Sequence, residues 1–239
     1  GKSVWLNNMA VQMWQQNNLI HKKASRNKQD YKIKGRNVLY FSLEMPLASC
    51  FRRTMAKLAD VSLYGLRDAT LDAGELKSFW QAKDFFKDYP WDFEIVDLGR
   101  GASISKIEEI YNSREYEEDE KPIIFLDYLG LVGSTKGEDD WLAQGLLAGE
   151  YHEFLRANGL IGATGVQLTR VDEGKKAEPG ANIGLHRIGR SSLIAHHANI
   201  VAQIETRKNE KNFGDFIYHL IKNRDGELGS HTVGKNFAH

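Results

Sequence analysis

The chain has 239 residues with 32 Lys+Arg against 32 Asp+Glu, so its formal net charge is +0 and no bulk field recruits a polyanion. That length buries a real core and suits one large domain or two small ones. The single cysteine, Cys50, excludes an internal disulfide and fits a reducing cytoplasm, and no apolar run is long enough to span a bilayer.

The chain opens on Gly1-Lys2-Ser3, the last three positions of the phosphate-binding pattern G-x-x-x-x-G-K-[ST]. In that pattern Lys2 reaches the β/γ-phosphates, the Ser3 hydroxyl holds Mg²⁺, and backbone N–H groups at a helix start cradle anionic oxygens. Taken alone, the tripeptide more often marks a plain helix start. Because the sequence starts inside the motif, it is expected to lack the first strand and the front of the phosphate loop, with any N-terminal domain outside it. Val4, Leu6, Met9, Val11 and Met13 then recur at mostly helical spacing, predicting a helix from Ser3 to about Leu19. The basic stretch from His21 to Arg36 reads as a solvated loop.

Val38-Leu39-Tyr40-Phe41 is a buried-strand run, and Pro46 suits a first helical turn. Phe93-Glu94-Ile95-Val96 is a second strand. Ser105 and Glu108 have capping-box spacing at the start of the next helix. Ile123-Ile124-Phe125-Leu126 is the clearest buried strand and ends in Asp127. Asp139 to Asn158 reads as helix, Leu160 to Val166 as strand, and Ile200 to Glu205 and Phe216 to Ile221 as two more. Val171 to Gly189 is a long loop, of a length that compact domains keep mainly for function. The fold class is therefore α/β, a predominantly parallel sheet flanked by helices with an antiparallel strand pair near the C-terminus.

Ligands of such sheets bind at the carboxyl ends of the strands. Asp127 stands there with the residue type of a Mg²⁺-associated Walker-B acid; the same place suits an Asp that caps a turn. Glu44, in Phe41-Ser42-Leu43-Glu44-Met45, also follows a buried run. A carboxylate there can orient and deprotonate an attacking water, or simply favour a helix N-terminus. Gln167 closes the Leu160–Val166 run, where an amide can sense a γ-phosphate. The adjacent His196 and His197 have no partner cluster and read as surface or packing residues.

The order of these pieces is more telling than any one of them. Gly1-Lys2-Ser3, Tyr40-Phe41-Ser42-Leu43-Glu44-Met45, Ile123 to Leu129 (IIFLDYL), Gly165 to Arg170 (GVQLTR) and Lys222-Asn223-Arg224-Asp225-Gly226-x-x-Gly229 follow one another along nearly the whole chain. Together they resemble the motif series of the DnaB-like replicative helicases, hexameric RecA-fold proteins that include phage primase-helicases. The resemblance implies one RecA-like NTPase domain over residues 1–239, with ATP or another NTP as substrate and Mg²⁺ as cofactor. It implies that Gly1, Lys2 and Ser3 bind phosphate, Ser3 and Asp127 serve Mg²⁺, Glu44 is the catalytic base and Gln167 the γ-phosphate sensor. Arg170, next to the sensor, would serve nucleotide or loop geometry. Lys222 and Arg224 match a basic pair that reaches a neighbouring subunit's nucleotide, Arg224 as arginine finger. Two local departures stand out. The His21–Arg36 connection is longer than usual, and the last motif reads KNRDGELG where the family more often has Asn-Gly-Pro-Thr-Gly.

Members of the family thread single-stranded DNA through a hexamer pore lined by loops. Here Lys175, Lys176, Arg187 and Arg190 lie among Gly and Asn in a segment suited to phosphate contacts, or to a merely solvated loop. The implied partners are single-stranded DNA, identical subunits in a homo-hexamer, a primase and a helicase loader, in the cytoplasm of a bacterial or phage-infected cell. Two other readings share the fold: a nucleotide-dependent DNA-binding assembly module, and a recombinase or recombinase paralogue. Retention of Glu44 favours the enzyme over the first, and Ser-Leu-Glu-Met with the Lys-x-Arg-x-Gly ending over the second.

Overall fold

The computed structural model describes residues 2–26, 36–133, 141–167, 184–185, 192–208 and 214–234. Of the residues singled out above, Gly1, Arg170, Lys175, Lys176, Arg187 and Arg190 lie outside them.

Helix α1 (Lys2–Arg26) opens the fold. Leu6, Ala10 and Trp14 recur every four residues and are buried, which is the spacing that puts one stripe of a helix against a core. The helix runs past Leu19 and takes in the first six residues of the expected basic loop. Lys, Ala and Arg are good helix formers, so a charged stretch need not end the element. Strand β1 (Val38–Ser42) and strand β3 (Ile123–Asp127) are buried throughout, as central parallel strands covered on both faces must be. Strand β2 (Phe93–Asp97) and strand β4 (Ile161–Thr164) flank them in the order β2-β1-β3-β4, all parallel. The expected strand at Leu160–Val166 is thus shorter, ending three residues before Gln167.

Between β1 and β2 lie three helices: α2 (Leu47–Ala59), which begins directly after Pro46 as its place suggested, and α3 (Leu63–Asp68) and α4 (Ala73–Asp88), which the hydrophobic pattern left unassigned. Helix α4 carries a full capping box, Asp72 accepting from the Glu75 backbone N–H at 2.8 Å while the Glu75 carboxylate accepts from the Asp72 N–H at 3.0 Å. The box expected at Ser105 and Glu108 is absent. Helix α5 (Ile104–Asn112) begins two residues earlier, capped by Ser103, whose hydroxyl accepts from Lys106 N–H at 3.1 Å. Two serines two residues apart compete for that role, and the one with extended backbone outside the first turn takes it. Replacing Asp72 with alanine is expected to destabilise the protein by about 1 kcal/mol, read as a lowered midpoint in urea with an unchanged slope.

The chain divides into two compact units. The first holds α1 to α5, the four parallel strands and the last residues of helix α6 (Trp141–Ala157). Its core gathers Phe85, Phe86, Tyr89 and Phe93 around Trp14, with ring centroids 4.5 to 5.8 Å away. The Trp14 indole N–H donates to the Trp91 carbonyl at 2.9 Å, so the ring is buried without an orphaned donor. The second unit holds the first part of α6, the short helix α7 (Ser192–His197) and an antiparallel sheet of β5 (Ile200–Lys208), β6 (Gly214–Asn223) and β7 (Gly229–Gly234). The expected terminal strand pair is therefore a three-stranded sheet. A polar row crosses it, with the buried His219 at its centre: His219 Nδ1 lies 2.7 Å from Ser230 Oγ and its Nε2 lies 3.1 Å from Glu205 Oε2.

Candidate active site

In the register of β1 and β3, Ser42 stands opposite Asp127, so both strands deliver their last residue to the same level. The ladder continues one step further, Leu43 N–H donating to the Asp127 carbonyl at 2.8 Å. Ser42 then shapes the turn after β1. Its hydroxyl accepts from Met45 N–H at 3.1 Å and donates to the Met45 carbonyl at 2.7 Å, while the Cys50 thiol donates back to it at 3.3 Å. Glu44 sits at the apex of this turn, exposed, while Ser42 beneath it is fully buried. Asp97, at the end of β2, reaches across to accept from Leu47 N–H at 3.1 Å and so caps the helix that follows the turn.

Helix α1 brings its first turn to this strand edge. Ser3 Oγ lies 3.0 Å from Asp127 Oδ1 and 3.2 Å from Glu44 Oε2, so one hydroxyl proton faces two carboxylates, one at the end of β3 and one from the turn after β1. The other Asp127 oxygen, Oδ2, accepts from the Tyr40 hydroxyl at 2.9 Å. Lys2 places its ammonium 3.8 Å from the centre of the Tyr128 ring, a cation–π contact beside the strand end. Gly165 approaches the same corner, where a Cβ would lie 3.5 Å from Tyr128 Cβ and 3.6 Å from Lys2 Cβ.

The electrostatics follow from this crowding. Burial pushes the Asp127 carboxyl above the usual carboxylate range, and the nearby Glu44 charge adds to that. Hydrogen bonds from Tyr40 and Ser3, and the charge of Arg53 on α2, pull the other way. Burial, and then Asp127 itself, push the Tyr40 phenol far upward, so it remains a donor across the working pH range. A buried carboxylate with a hydroxyl and a second carboxylate alongside is a hard-oxygen environment that a divalent cation relieves. Two adjacent ligands of octahedral Mg²⁺ held at about 2.1 Å lie roughly 3 Å apart, which is the separation of Ser3 Oγ and Asp127 Oδ1. Among the described residues no group of three or more His, Cys, Asp or Glu could hold a metal. Mg²⁺ takes one or two carboxylates and completes its shell with water and substrate phosphates, a demand that Ser3 and Asp127 can meet.

The structure thus brings together Lys2, Ser3, Glu44 and Asp127 from three separate stretches of sequence. Gln167 is exposed, and it and the basic pair belong to the second unit. There Arg224 opens the turn after β6, its N–H donating to the Asn199 carbonyl at 3.1 Å. A Cβ at Gly226 would fall 2.5 Å from Asn223 Nδ2, so a larger residue there would displace that amide. The Arg224 side chain is exposed, whereas the Lys222 ammonium donates to the carbonyls of Ala195 at 2.7 Å and His196 at 3.2 Å, at the end of α7. His196 and His197 pack ring against ring, with centroids 5.8 Å apart, and His197 also meets His152 at 5.9 Å.

Sequence reasoning passed over Tyr40, Ser42 and Asp97. Tyr40 carries the one legible sign: it lies two residues before Ser42, and side chains two apart share a sheet face. Its hydroxyl could therefore have been aimed at the strand end from the spacing alone.

Comparison with known proteins supplies the family. Residues 1–236 match the profile of the DnaB-like helicase C-terminal domain. A DnaB-like replicative helicase of Enterobacteria phage T4 is 28% identical over 193 residues, covering 75% of this chain and 38% of that protein, so the chain spans well under half of its relative's length. A solved structure of an ATPase domain superposes with a TM-score of 0.66 at 17% identity, covering 83% of this chain and 71% of that one. A DnaB-like replicative helicase whose structure describes its interactions with primase gives 0.69 at 15% identity, covering 83% and 48%. These two likenesses establish a RecA-like fold. With the family profile spanning nearly its full length, the chain belongs to the DnaB-like helicase C-terminal domain family.

Proposed function

We propose that residues 1–239 form one RecA-like motor domain, which hydrolyses ATP or another NTP and moves a homo-hexameric ring along single-stranded DNA during replication. The observation that carries this reading is the meeting of Ser3, Asp127 and Glu44 within 3.2 Å of one hydroxyl. A protein that only bound nucleotide would need the phosphate and metal groups; the exposed Glu44 beside them has the reach and residue type of a base for water. In this reading Gly1, Lys2 and Ser3 hold phosphates, and Ser3 with Asp127 serves Mg²⁺. When bound, that ion neutralises charge developing on the β- and γ-phosphates. Glu44 takes the proton of the attacking water, Gln167 senses the γ-phosphate and Arg170 supports the sensor loop. Arg224 and Lys222 serve the nucleotide of the neighbouring subunit.

The DNA path is assigned to the segment carrying Lys175, Lys176, Arg187 and Arg190, since cations among Gly and Asn suit contacts with phosphates whatever the base sequence. A primase and a loader are the expected protein partners, in the cytoplasm of a bacterial or phage-infected cell. Among the described residues no helix is long and apolar enough to cross a membrane.

The test is a pair of measurements on the same protein: NTPase rate with and without single-stranded DNA, and mass in solution with and without nucleotide. Hydrolysis stimulated by DNA, together with a nucleotide-dependent hexamer, is the expected result. Tight nucleotide binding with no turnover under any condition would instead identify an assembly module.

A further inference from the structure

The reading of Ser3 and Asp127 as the Mg²⁺ side of the site leaves one buried contact unexplained: why a tyrosine hydroxyl is spent on the same carboxylate. A carboxylate rotates about its last torsion with two broad, equivalent wells, so nothing intrinsic to aspartate decides how many oxygens it offers to a cation. Here both oxygens are assigned. Oδ1 faces Ser3 Oγ at 3.0 Å and Oδ2 faces the Tyr40 hydroxyl at 2.9 Å. Neither Tyr40 nor Asp127 is exposed at all. The Tyr40 ring cannot swing aside, because it lies in a central strand and stacks on Phe125 with centroids 6.2 Å apart and planes 17° apart.

We propose that Tyr40 is a positioning residue that sets metal specificity: by occupying Oδ2 of Asp127 it limits the carboxylate to one free oxygen, directed at Ser3. A one-oxygen carboxylate suits Mg²⁺, which requires near-octahedral geometry at about 2.0–2.1 Å. A carboxylate offering both oxygens suits Ca²⁺, which accepts bidentate ligands at about 2.3–2.6 Å in a looser shell. Tyr40 therefore works through Asp127 and touches neither nucleotide nor ion.

The Tyr40→Phe variant removes the hydroxyl and keeps the ring on Phe125. Metal binding is measured with a non-hydrolysable ATP analogue bound, by displacement of Mn²⁺ followed by electron paramagnetic resonance, with Mg²⁺ and Ca²⁺ as competitors. Loss of a partner to a metal-binding group typically costs 10–100-fold in affinity, so Mg²⁺ affinity is expected to fall roughly tenfold while Ca²⁺ affinity holds or rises. Equal losses for the two ions would mean general loosening and would overturn the proposal, as would an unchanged Mg²⁺ affinity. The wild-type protein provides a check that needs no variant. Infrared difference spectra on Mg²⁺ addition are expected to show the wide carboxylate band splitting of one-oxygen ligation, and a narrow, bidentate splitting would sink the idea. If the wild-type protein with nucleotide binds no Mg²⁺ at all, the assignment of Ser3 and Asp127 fails, and Tyr40 with it, for a different and recognisable reason.

Discussion

Replacing Glu44 with glutamine is expected to leave nucleotide binding near the wild-type value and to remove most turnover, by roughly 10²–10⁴ in rate. Glutamine keeps the length and hydrogen-bonding reach of glutamate but cannot accept a proton. The turn that carries Glu44 is built by Ser42, Met45 and Cys50 rather than by the Glu44 side chain, so the substitution leaves its framework intact. The nearby Asp127 also loses a like charge from its surroundings, which eases rather than strains the buried strand end. The check is a comparison of equilibrium binding of a fluorescent nucleotide with steady-state hydrolysis. Parental turnover in the Glu44→Gln protein would show that another group activates the water.

Arg224 is expected to act across a subunit boundary, so that two inactive variants regain activity when mixed. The turn after β6 is pinned by the Arg224 N–H to Asn199 carbonyl bond and by Asn223 Nδ2, which donates to the Glu227 carbonyl at 3.2 Å. The guanidinium is left exposed on a braced turn, a suitable mount for an arginine that enters another subunit's site. An arginine supplied in trans contributes roughly 10³–10⁵ to phosphoryl transfer, whereas an arginine making only surface ion pairs would contribute under about 1 kcal/mol. Arg224→Ala subunits retain Glu44, and Glu44→Gln subunits retain Arg224, so a mixed ring contains some interfaces with both. Hydrolysis that appears only on mixing would establish the role. An Arg224→Ala protein that assembles and hydrolyses normally by itself would remove it.

Much of this site was legible because its residues end apolar runs. Four consecutive buried side chains before Asp127, and a similar run before Ser42 and Glu44, mark central parallel strands and hence the sheet edge where ligands bind. Other parts were hidden for particular physical reasons. Phe51, Tyr64, Leu76 and Trp80 are large apolar residues that remain well exposed on α2, α3 and α4, so hydrophobic spacing there misreports the buried face. Strand β7 pairs with β6 through backbone hydrogen bonds while presenting the exposed polar residues Ser230, His231 and Thr232, a pattern with no apolar alternation to read. Tyr40 resembles any core aromatic until its hydroxyl is placed against Asp127, a contact across 87 residues of chain.

The backbone bond from Leu43 to the carbonyl of Asp127 has a further consequence. It ties the turn that carries one carboxylate to the strand that ends in the other, and Ser3 then bridges both from a third element. The three side chains form one mechanical unit, in which a shift of any member displaces the rest. Free energies from single substitutions at Ser3, Glu44 and Asp127 will not sum, since residues sharing one network couple by about 0.5–3 kcal/mol. The first substitution is expected to do most of the damage, leaving later ones little further to remove. A lineage that relaxes one of these positions thereby weakens selection on the other two, so loss of the site is expected to be abrupt rather than gradual.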